Sequence, residues 1–384
     1  MLIRTIETKV DNYIKSQEEK LLFIWGPRRS GKTTLINKIA KEQKIRIFNF
    51  DNQSDAELFV PRRDVLEQIV KENKIILIDE VQTHPEATVA LKLFHDEFHV
   101  KVIATGSSEL RQKTQDFDSL AGRYIEEYCL PFSVYEIAEN SKVPAYEEKN
   151  LHLVMQRSLQ LYGAYPEVYA NENLTETEKI DILQNILDTY VLKDIISIYD
   201  LKNSKLAKDI LTKIALQIGQ EVSIREIANS LQANVTTVSN YIEIFIKNYI
   251  LIPLPSFKTN TRKAVSKNRK LYFYDLGIRN ILVKDFRSLE LRPDKGGVFE
   301  NFVVSEMEKQ RKNSNLKYTL YFYREYGGKE IDLVLEDYTK KYICVEMKIQ
   351  GKGTNYGIFP LPHIYTTINI QNYFQKISEV LPSF

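Results

Sequence analysis

A glycine-bounded segment near the N-terminus has the residue types and the spacing of a phosphate-binding loop. It fits the pattern G-x-x-x-x-G-K-[S/T] and reads Gly26-Pro27-Arg28-Arg29-Ser30-Gly31-Lys32-Thr33-Thr34. An apolar run precedes it, and apolar residues at helical spacing follow it. Strand, loop and helix in this order turn backbone N–H groups toward an anion. The segment predicts an ATP site in which Lys32 neutralises phosphates and Thr33 holds Mg²⁺. The alternative is a strand-to-helix turn that binds nothing.

Two further apolar runs end in polar residues. The run from Ile75 to Ile78 ends in Asp79 and Glu80. In a nucleotide site such an Asp holds the metal ion, and the Glu polarises the attacking water. The other run, Val100 to Ala104, leads into Thr105-Gly106-Ser107-Ser108, where a side chain could sense the γ-phosphate. Because open α/β sheets bind ligands at the carboxyl ends of their strands, these ends predict one shared site.

Two carboxylates and a lysine recur on strand-like runs near the C-terminus. Asp332 lies in the first run, and Glu346 and Lys348 share one face of the next. If Glu336 pairs with Tyr342 in a hairpin, Asp332 lies directly opposite Glu346. Such a face could bind Mg²⁺ and activate a water toward a scissile phosphate. The alternative is an ordinary surface ladder of alternating acid, apolar and base.

A helix-turn-helix pattern lies between Ile224 and Tyr249, with Thr236, Thr237, Ser239 and Asn240 on the exposed face of the second helix. Segment 258–270 follows, and it has basic residues without an acidic one: Lys258, Arg262, Lys263, Lys267, Arg269 and Lys270. It could be a wing lying along a phosphate backbone, or a solvated loop. Because the second helix carries little positive charge, nonspecific DNA contact or protein docking is favoured over sequence reading.

The chain resembles, over nearly its whole length, a family of bacterial and archaeal AAA+ ATPases whose C-terminal half is a domain of unknown function. The segments that carry the resemblance are Gly26-Pro27-Arg28-Arg29, Leu77-Ile78-Asp79-Glu80-Val81-Gln82, Thr105-Gly106-Ser107, Leu120-Ala121-Gly122-Arg123-Tyr124, Leu130-Pro131-Phe132-Ser133, Gly163-Ala164-Tyr165-Pro166-Glu167 and Tyr190-Val191-Leu192-Lys193-Asp194-Ile195. The resemblance implies a multidomain α/β protein. It implies a P-loop AAA+ core with a parallel sheet at 1–134, a helical lid at 135–205, a winged helix at 206–283 and a restriction-endonuclease-like α/β domain at 284–384.

The resemblance also implies roles for single residues near the nucleotide. Ser107 is similar to the polar sensor, and Arg123 to the arginine that stabilises transition-state charge in cis or in trans. Pro166 is similar to the proline that borders the adenine. Arg28 and Arg29 face either the nucleotide or solvent.

In the C-terminal domain the resemblance is to the PD-(D/E)xK nuclease core. Asp332, Glu346 and Lys348 match its motif, and Glu300 matches its helix glutamate, so that Asp332, Glu346 and Glu300 would bind the metal ion. The segment Gly357-Ile358-Phe359-Pro360-Leu361-Pro362 departs from this pattern, because the nuclease fold usually continues there with a helix over the sheet.

Composition sets the remaining expectations. The 384 residues include 53 basic and 51 acidic side chains, so net charge names no partner. Two distant cysteines argue against disulfides or a zinc site, and a reducing cytoplasm fits. Neither a signal peptide nor a membrane span is predicted. We expect an ATP-hydrolysing switch that controls a DNA-binding half, and Mg²⁺-dependent cleavage of DNA by that half stays open. The alternative is a signalling or scaffold protein with an inactive nuclease-like domain. A homo-oligomer and a protein partner stay open.

Overall fold

The computed structural model describes residues 2–84, 87–107, 120–194, 203–258, 269–355 and 357–381. Contacts divide the chain into two units, Ile3–Leu130 and a second unit that consists mainly of Pro131–Phe384. The first unit ends close to the predicted domain boundary at residue 134, whereas the predicted boundaries at 205 and 283 fall inside the second unit. Among the described helices, none is long and apolar enough to cross a membrane.

A parallel sheet forms the centre of the first unit, as predicted. Its strands are β1 (Leu21–Trp25), β2 (Ile47–Asn49), β3 (Ile75–Asp79), β4 (Lys101–Gly106) and β5 (Tyr124–Tyr128), in the order β2-β3-β4-β1-β5. All four pairings are parallel. Every residue of β1 and β3 is buried, which explains the apolar runs Leu21–Trp25 and Ile75–Ile78.

The helices of the first unit are α1 (Thr5–Lys15), α2 (Lys32–Gln43), α3 (Gln53–Ala56), α4 (Arg63–Glu72) and α5 (Ala87–Asp96). Helix α2 is the one that follows the glycine-bounded loop. It buries Leu35, Ile36 and Ile39, the positions that the helical spacing predicts. Its N-cap is Gly31 at φ 101°, a left-handed conformation that favours glycine.

The second unit begins with a helical layer. Its helices are α6 (Val134–Asn140), α7 (Glu148–Tyr162), α8 (Pro166–Tyr169), α9 (Glu176–Ile186) with a π-helical continuation over Leu187–Asp194, α10 (Ser204–Leu216), α11 (Ile224–Ser230), α12 (Val235–Lys247) and α13 (Leu276–Val283). One apolar core contains Leu183 and Ile186 of α9, Ile210 of α10 and Phe245 of α12. The predicted lid and the predicted helix-turn-helix therefore share a single core.

Two small sheets complete the second unit. The first has strands β6 (Glu221–Val222), β7 (Leu251–Pro255) and β8 (Arg269–Phe273) in the antiparallel order β6-β8-β7. The second has β9 (Tyr318–Arg324), β10 (Glu330–Asp337), β11 (Tyr342–Lys348) and β12 (Ile364–Asn369), with only β12 parallel to its neighbour. The Phe257 N–H donates to the Phe322 carbonyl at 2.7 Å and links the two sheets.

Helix α14 (Lys295–Asn313) covers both small sheets, and helix α15 (Tyr373–Val380) follows β12. The Asn301 side chain of α14 bonds the backbone N–H and carbonyl of Phe273 at 2.7 and 2.8 Å. The predicted pairing of Glu336 with Tyr342 is confirmed. Segment 357–362 lies in the connection from β11 to β12, and Phe359 packs on Phe257.

Candidate functional site

Lys32 is the central residue of the phosphate loop in the first unit. Its ammonium group donates to the carbonyl oxygens of Gly26 at 2.9 Å and Pro27 at 2.8 Å, and only 4% of the residue is exposed. Burial lowers the pKa of Lys32, against the opposing effect of the Glu80 and Asp79 carboxylates. A bound phosphate would place a negative charge beside the buried Lys32 ammonium and would stabilise its charged form.

The close approach of two neighbouring segments shapes the loop. A Cβ at Gly26 would overlap the carbonyl oxygen of Cys129, so a glycine is required there. The Arg4 guanidinium donates to the Ser30 carbonyl at 2.9 Å and also to Leu130. Arg4 was missed by the sequence reasoning, because no motif connects it with the loop 26 residues away.

Asp79 and Thr33 lie together, as predicted. The Thr33 hydroxyl donates to Asp79 Oδ2 at 3.1 Å, and the Thr105 hydroxyl donates to Asp79 Oδ1. Carboxylate and hydroxyl oxygens are the ligands that Mg²⁺ accepts beside nucleotide phosphates. The donor set at this position therefore fits Mg²⁺.

Glu80 and Ser107 are joined by a third side chain, Gln82. The Gln82 amide donates to the Glu80 carboxylate and to the Ser107 hydroxyl, at 3.1 Å in the second case, and it accepts the Ser107 N–H at 3.2 Å. Gln82 is fully buried. Glu80 itself has φ 56°, an uncommon conformation for a residue with a side chain. The sequence placed Gln82 in a motif but gave it no role.

The remaining predicted residues of the loop differ in exposure. Arg29 and Thr34 are exposed, whereas Arg28 is half-buried. Arg29 has φ 63°, so the loop turns sharply there. The nucleotide contacts of these three residues stay predictions, and Ser108 lies outside the described residues.

Arg123 does not lie at this site. The Leu21 N–H donates to the Arg123 carbonyl at 2.8 Å, so Arg123 precedes β5 at the amino edge of the sheet, opposite the loop. Its guanidinium donates to Asp96 at 2.7 Å and lowers the pKa of Asp96 to about 2. The expected contact in cis is therefore not supported, because the length of the sheet separates the two ends. A role in trans stays a prediction.

Pro166 begins α8 in the second unit, so its contact with adenine stays a prediction. The motif around it has a structural basis. Gly163 has φ 74°, and a Cβ there would overlap the carboxylate of Asp275. Asp275 accepts the N–H groups of Ala164 at 2.6 Å and Ile278 at 3.2 Å. Only glycine leaves room for this carboxylate, which ties α13 to the chain before α8.

The predicted metal set in the C-terminal half is only partly brought together. Glu346 is 1% exposed and accepts bonds from the Tyr365 hydroxyl, the Asn355 N–H at 3.1 Å and Lys348 at 2.8 Å. Burial alone would raise the pKa of Glu346, but the bonds from Lys348 and Tyr365 lower it. Glu346 is not among the described carboxylates that lie within 4.8 Å of one another.

Those carboxylates are Glu300, Asp332 and a residue that the sequence reasoning missed, Glu330. A register shift between Ile331 and Val334 distorts β10 at Asp332, which accepts the Met347 N–H at 2.6 Å. Such irregularity is not readable from alternation, and Glu330 had no motif to mark it. Burial and the nearby Glu300 raise the pKa of Asp332 to about 7.

Two residues of the predicted basic wing have other partners. Lys270 is 1% exposed, and its ammonium contacts Glu300 at 2.8 Å and also Glu330. Arg269 pairs with Glu243 at 2.8 Å. The expectation that these two contact a phosphate backbone is corrected, because both charges are already compensated. Arg262, Lys263 and Lys267 lie outside the described residues.

Three family models match separate parts of the chain. Residues 18–138 match an AAA domain. Residues 155–290 match the domain of unknown function DUF8612, and residues 295–358 match the domain of unknown function DUF4143. The AAA match covers the parallel sheet and the loop around Lys32.

Three relatives with similar sequences carry the description uncharacterized protein. An uncharacterized protein of Methanocaldococcus jannaschii is 27% identical over 364 residues, which cover 89% of this chain and 78% of the relative. An uncharacterized protein of Haemophilus influenzae is 25% identical over 275 residues, covering 67% of each chain. A second Methanocaldococcus jannaschii protein is 24% identical, and the match spans 65% of its length.

Solved structures are similar only at a low level. The Thermotoga maritima RuvB Holliday junction branch migration motor matches with a TM-score of 0.32 and 14% identity, over 66% of this chain and 90% of RuvB. The Aeropyrum pernix ORC1 protein in complex with DNA also has a TM-score of 0.32 and 14% identity, over 74% and 93%. Similarity this weak carries no functional argument. By the family matches, residues 18–138 are similar to an AAA domain, and residues 155–290 and 295–358 are similar to two domains of unknown function.

Proposed function

We propose that the first unit binds ATP with Mg²⁺ and hydrolyses it. The observation that carries the proposal is the meeting of Lys32, Thr33, Asp79 and Glu80 at the carboxyl edge of one parallel sheet. Lys32 binds phosphate oxygens, and Thr33 with Asp79 would hold Mg²⁺, which supplies charge neutralisation when bound. Glu80 orients and deprotonates the attacking water, and Ser107 bonds the γ-phosphate.

Two variants test this proposal. Lys32→Ala removes the phosphate-binding charge and should abolish ATP binding, whereas Glu80→Gln should bind ATP but turn it over slowly. Lys41→Ala, an exposed lysine on the same helix, is the matched control and should behave as the wild type. ATP affinity retained in Lys32→Ala would contradict the phosphate-loop assignment, and wild-type turnover in Glu80→Gln would remove Glu80 from catalysis.

We further propose that the nucleotide state controls a DNA-binding C-terminal half. Helices α10, α11 and α12 with strands β6, β7 and β8 have the element order of a winged helix, which supports this proposal. Helix α12 exposes Thr236 and Asn240, and half-buries Thr237 and Ser239. Short polar side chains of this kind bond phosphates or base edges. The low charge of α12 favours nonspecific contact.

A salt series tests the DNA contact. Binding through phosphates should weaken steeply as salt rises. Neutralising Lys258, Arg262, Lys263 and Lys267 should reduce both the affinity and the salt slope. The control neutralises four exposed lysines elsewhere in the second unit, Lys142, Lys149, Lys205 and Lys352. Equal loss in both sets would point to overall charge rather than to a wing.

The second candidate is a nucleotide-dependent signalling or scaffold protein whose nuclease-like domain is inactive and docks a partner. The contact of Lys270 with Glu300 and Glu330 favours it. Mg²⁺-dependent cleavage by Asp332, Glu346 and Lys348 is the competing prediction. Incubation with Mg²⁺ or Mn²⁺ and linear, nicked or single-stranded DNA, with and without ATP, separates them. Cleavage that Asp332→Ala/Lys348→Ala abolishes would establish the nuclease.

The ATPase proposal requires an oligomer only if Arg123 takes part in catalysis. If this arginine acts in trans, neighbouring subunits must supply it to the ATP site. Arg123→Ala should then lower turnover without lowering ATP affinity, and mixing it with Lys32→Ala protein should restore part of the activity. Unchanged turnover would leave Arg123 as the surface partner of Asp96.

A further inference from the structure

A cluster in the second unit, here named the carboxylate pocket, contains three half-buried carboxylates and one buried ammonium group. Glu300 comes from α14, and Glu330 and Asp332 come from β10. Oxygen atoms of the three lie within 4.8 Å of one another. The Lys270 ammonium lies 2.8 Å from Glu300 Oε1 and also contacts Glu330 Oε1. Two of the three carboxylates therefore already share a cation.

The position of Lys270 is built into the sheet. Its backbone pairs with Leu254 of β7 and Glu221 of β6 in the three-stranded sheet. Its ammonium lies 5.4 Å from the centre of the Phe322 ring, and the side chain is 1% exposed. The backbone of Lys270 is paired on both sides, and its side chain packs against an aromatic ring. The fold therefore holds the Lys270 ammonium in the interior.

Two further side chains contact the carboxylates that hold the ammonium. The Tyr272 hydroxyl, two residues along β8, donates to the same oxygen of Glu300. The Arg324 guanidinium donates to Glu330 at 2.8 Å and pairs with Glu221 at 2.7 Å. Lys270 thus faces Glu300 and Glu330, and Arg324 faces Glu330, so the protein itself already supplies a cation to two of the three carboxylates.

This donor set does not fit a divalent cation. Mg²⁺ and Mn²⁺ require several free oxygen ligands at about 2.0–2.2 Å, whereas an ammonium takes the same oxygens as hydrogen-bond acceptors. A divalent ion between Glu300 and Glu330 would meet the positive charge of Lys270 at close range. Glu346, the remaining acid of the nuclease-like motif, is bonded to Tyr365, Asn355 and Lys348 instead.

We propose that Lys270 is the resident cation of this carboxylate pocket and excludes divalent metal ions from it. The ion pairs of the pocket then connect the three-stranded sheet with α14 and with the four-stranded sheet. This inference does not rest on the ATP site. It supports the second candidate function, because a nuclease-like domain that excludes divalent metal ions would be inactive.

Removal of the ammonium tests the proposal. Lys270→Met keeps the apolar stem and leaves three carboxylates without their cation. We expect it to bind one Mn²⁺ that the wild type does not bind at the same Mn²⁺ concentrations. Mn²⁺ binding would be measured by titration calorimetry and by electron paramagnetic resonance on the full chain without nucleotide. The double variant Lys270→Met/Asp332→Asn should lose the gain.

A matched control separates the pocket from burial alone. Lys309→Met removes another buried lysine, 3% exposed, which pairs with the single carboxylate of Glu306 at 2.7 Å. It should gain no Mn²⁺ site. A folded Lys270→Met protein without extra Mn²⁺ would overturn the proposal.

The wild type provides a test that does not depend on the folding of Lys270→Met. If the wild type binds Mn²⁺ and Glu300→Gln abolishes that binding, the pocket is open to metal and the proposal is wrong. If Glu300→Gln leaves the Mn²⁺ titration unchanged, the proposal is supported. Lys270→Met/Glu330→Gln, which removes one acid with the base, provides a charge-balanced protein in which the fold can be checked.

Discussion

At the scale of single residues, Gln82 connects the two side chains that we assign to water activation and phosphate sensing. Its amide donates to Glu80 and Ser107 at once, and its carbonyl oxygen accepts the Ser107 N–H. A movement of Ser107 toward a phosphate would therefore change the position of Glu80. Gln82 contacts neither Lys32 nor Thr33 through any of these bonds, so its effect should fall on turnover rather than on binding.

We predict that Gln82→Ala lowers kcat for ATP by about tenfold or more, since misplacing a general base costs most of its contribution. ATP affinity should stay within about threefold of wild type. The control is Gln53→Ala, which removes an exposed glutamine that bonds Glu57 at 2.7 Å. Parallel losses of kcat and of ATP affinity in Gln82→Ala would indicate a general disturbance of the site.

Asp332 gives a prediction about pH. Burial and Glu300 raise its pKa from 3.8 to about 7, against the opposing effects of the Met347 N–H, Lys270 and Lys348. A raised pKa means that the folded state holds the proton more tightly, so the stabilisation is lost as pH rises through about 7. The free energy of unfolding should therefore fall by about 2 kcal/mol between about pH 5 and about pH 8, relative to Asp332→Asn. Parallel pH profiles for the two proteins would contradict this.

At the scale of elements, sequence periodicity and turn length predicted the strands, helices and strand pairings that local interactions determine. The apolar runs of β1 and β3, the spacing of α12 and the pairing of Glu336 with Tyr342 all follow from periodicity and turn length. The sequence pattern placed Lys270 in a wing or in a solvated loop, because its basic neighbours dominate the local composition. Only the packing of β8 against α14, far along the chain, reveals that Lys270 is buried.

The same limit applies to the candidate sites. The loop residues were predictable because the phosphate-binding motif places them within a few positions, and Asp79 because it ends an apolar strand. Arg4, Gln82 and Glu330 were not predictable, since each acts through contacts that no local sequence motif indicates. Arg123 was assigned by resemblance, and the parallel direction of β5 carries it to the opposite edge of the sheet.

The link between α8 and α13 supports a prediction about stability. Gly163→Ala would place a methyl group on the Asp275 carboxylate at a residue with φ 74°, so we expect a loss of about 3 kcal/mol or more. Gly328→Ala is the control, because Gly328 also has a positive φ, 86°, but nothing lies within 4 Å of the added methyl group. It should cost about 1–2 kcal/mol. Equal losses in urea unfolding would show that only backbone conformation matters.

At the scale of the whole molecule, the only tryptophan of the sequence reports on the first unit. Trp25 ends β1 directly before the phosphate loop, is fully buried and stacks on Phe23 at 5.2 Å. Its fluorescence should therefore follow the unfolding of this unit, whereas circular dichroism follows both.

We predict that ATP and Mg²⁺ at about 100-fold above their Kd stabilise the Trp25-monitored transition by about 2.7 kcal/mol. Lys32→Ala should remove this stabilisation, because the ligand no longer binds the folded state. A shift of the same size in the Lys32→Ala protein would mean that nucleotide acts elsewhere.

The core shared by α9, α10 and α12 has a consequence for anyone who wishes to excise the region that we propose contacts DNA. A fragment that starts at residue 206 would strip Leu183, Ile186 and Tyr190 from their apolar neighbours, and the Tyr190 hydroxyl would leave the Asn248 carbonyl that it bonds at 2.7 Å. Exposed apolar surface of this kind promotes self-association. A soluble fragment must therefore keep the chain from about residue 131 onward.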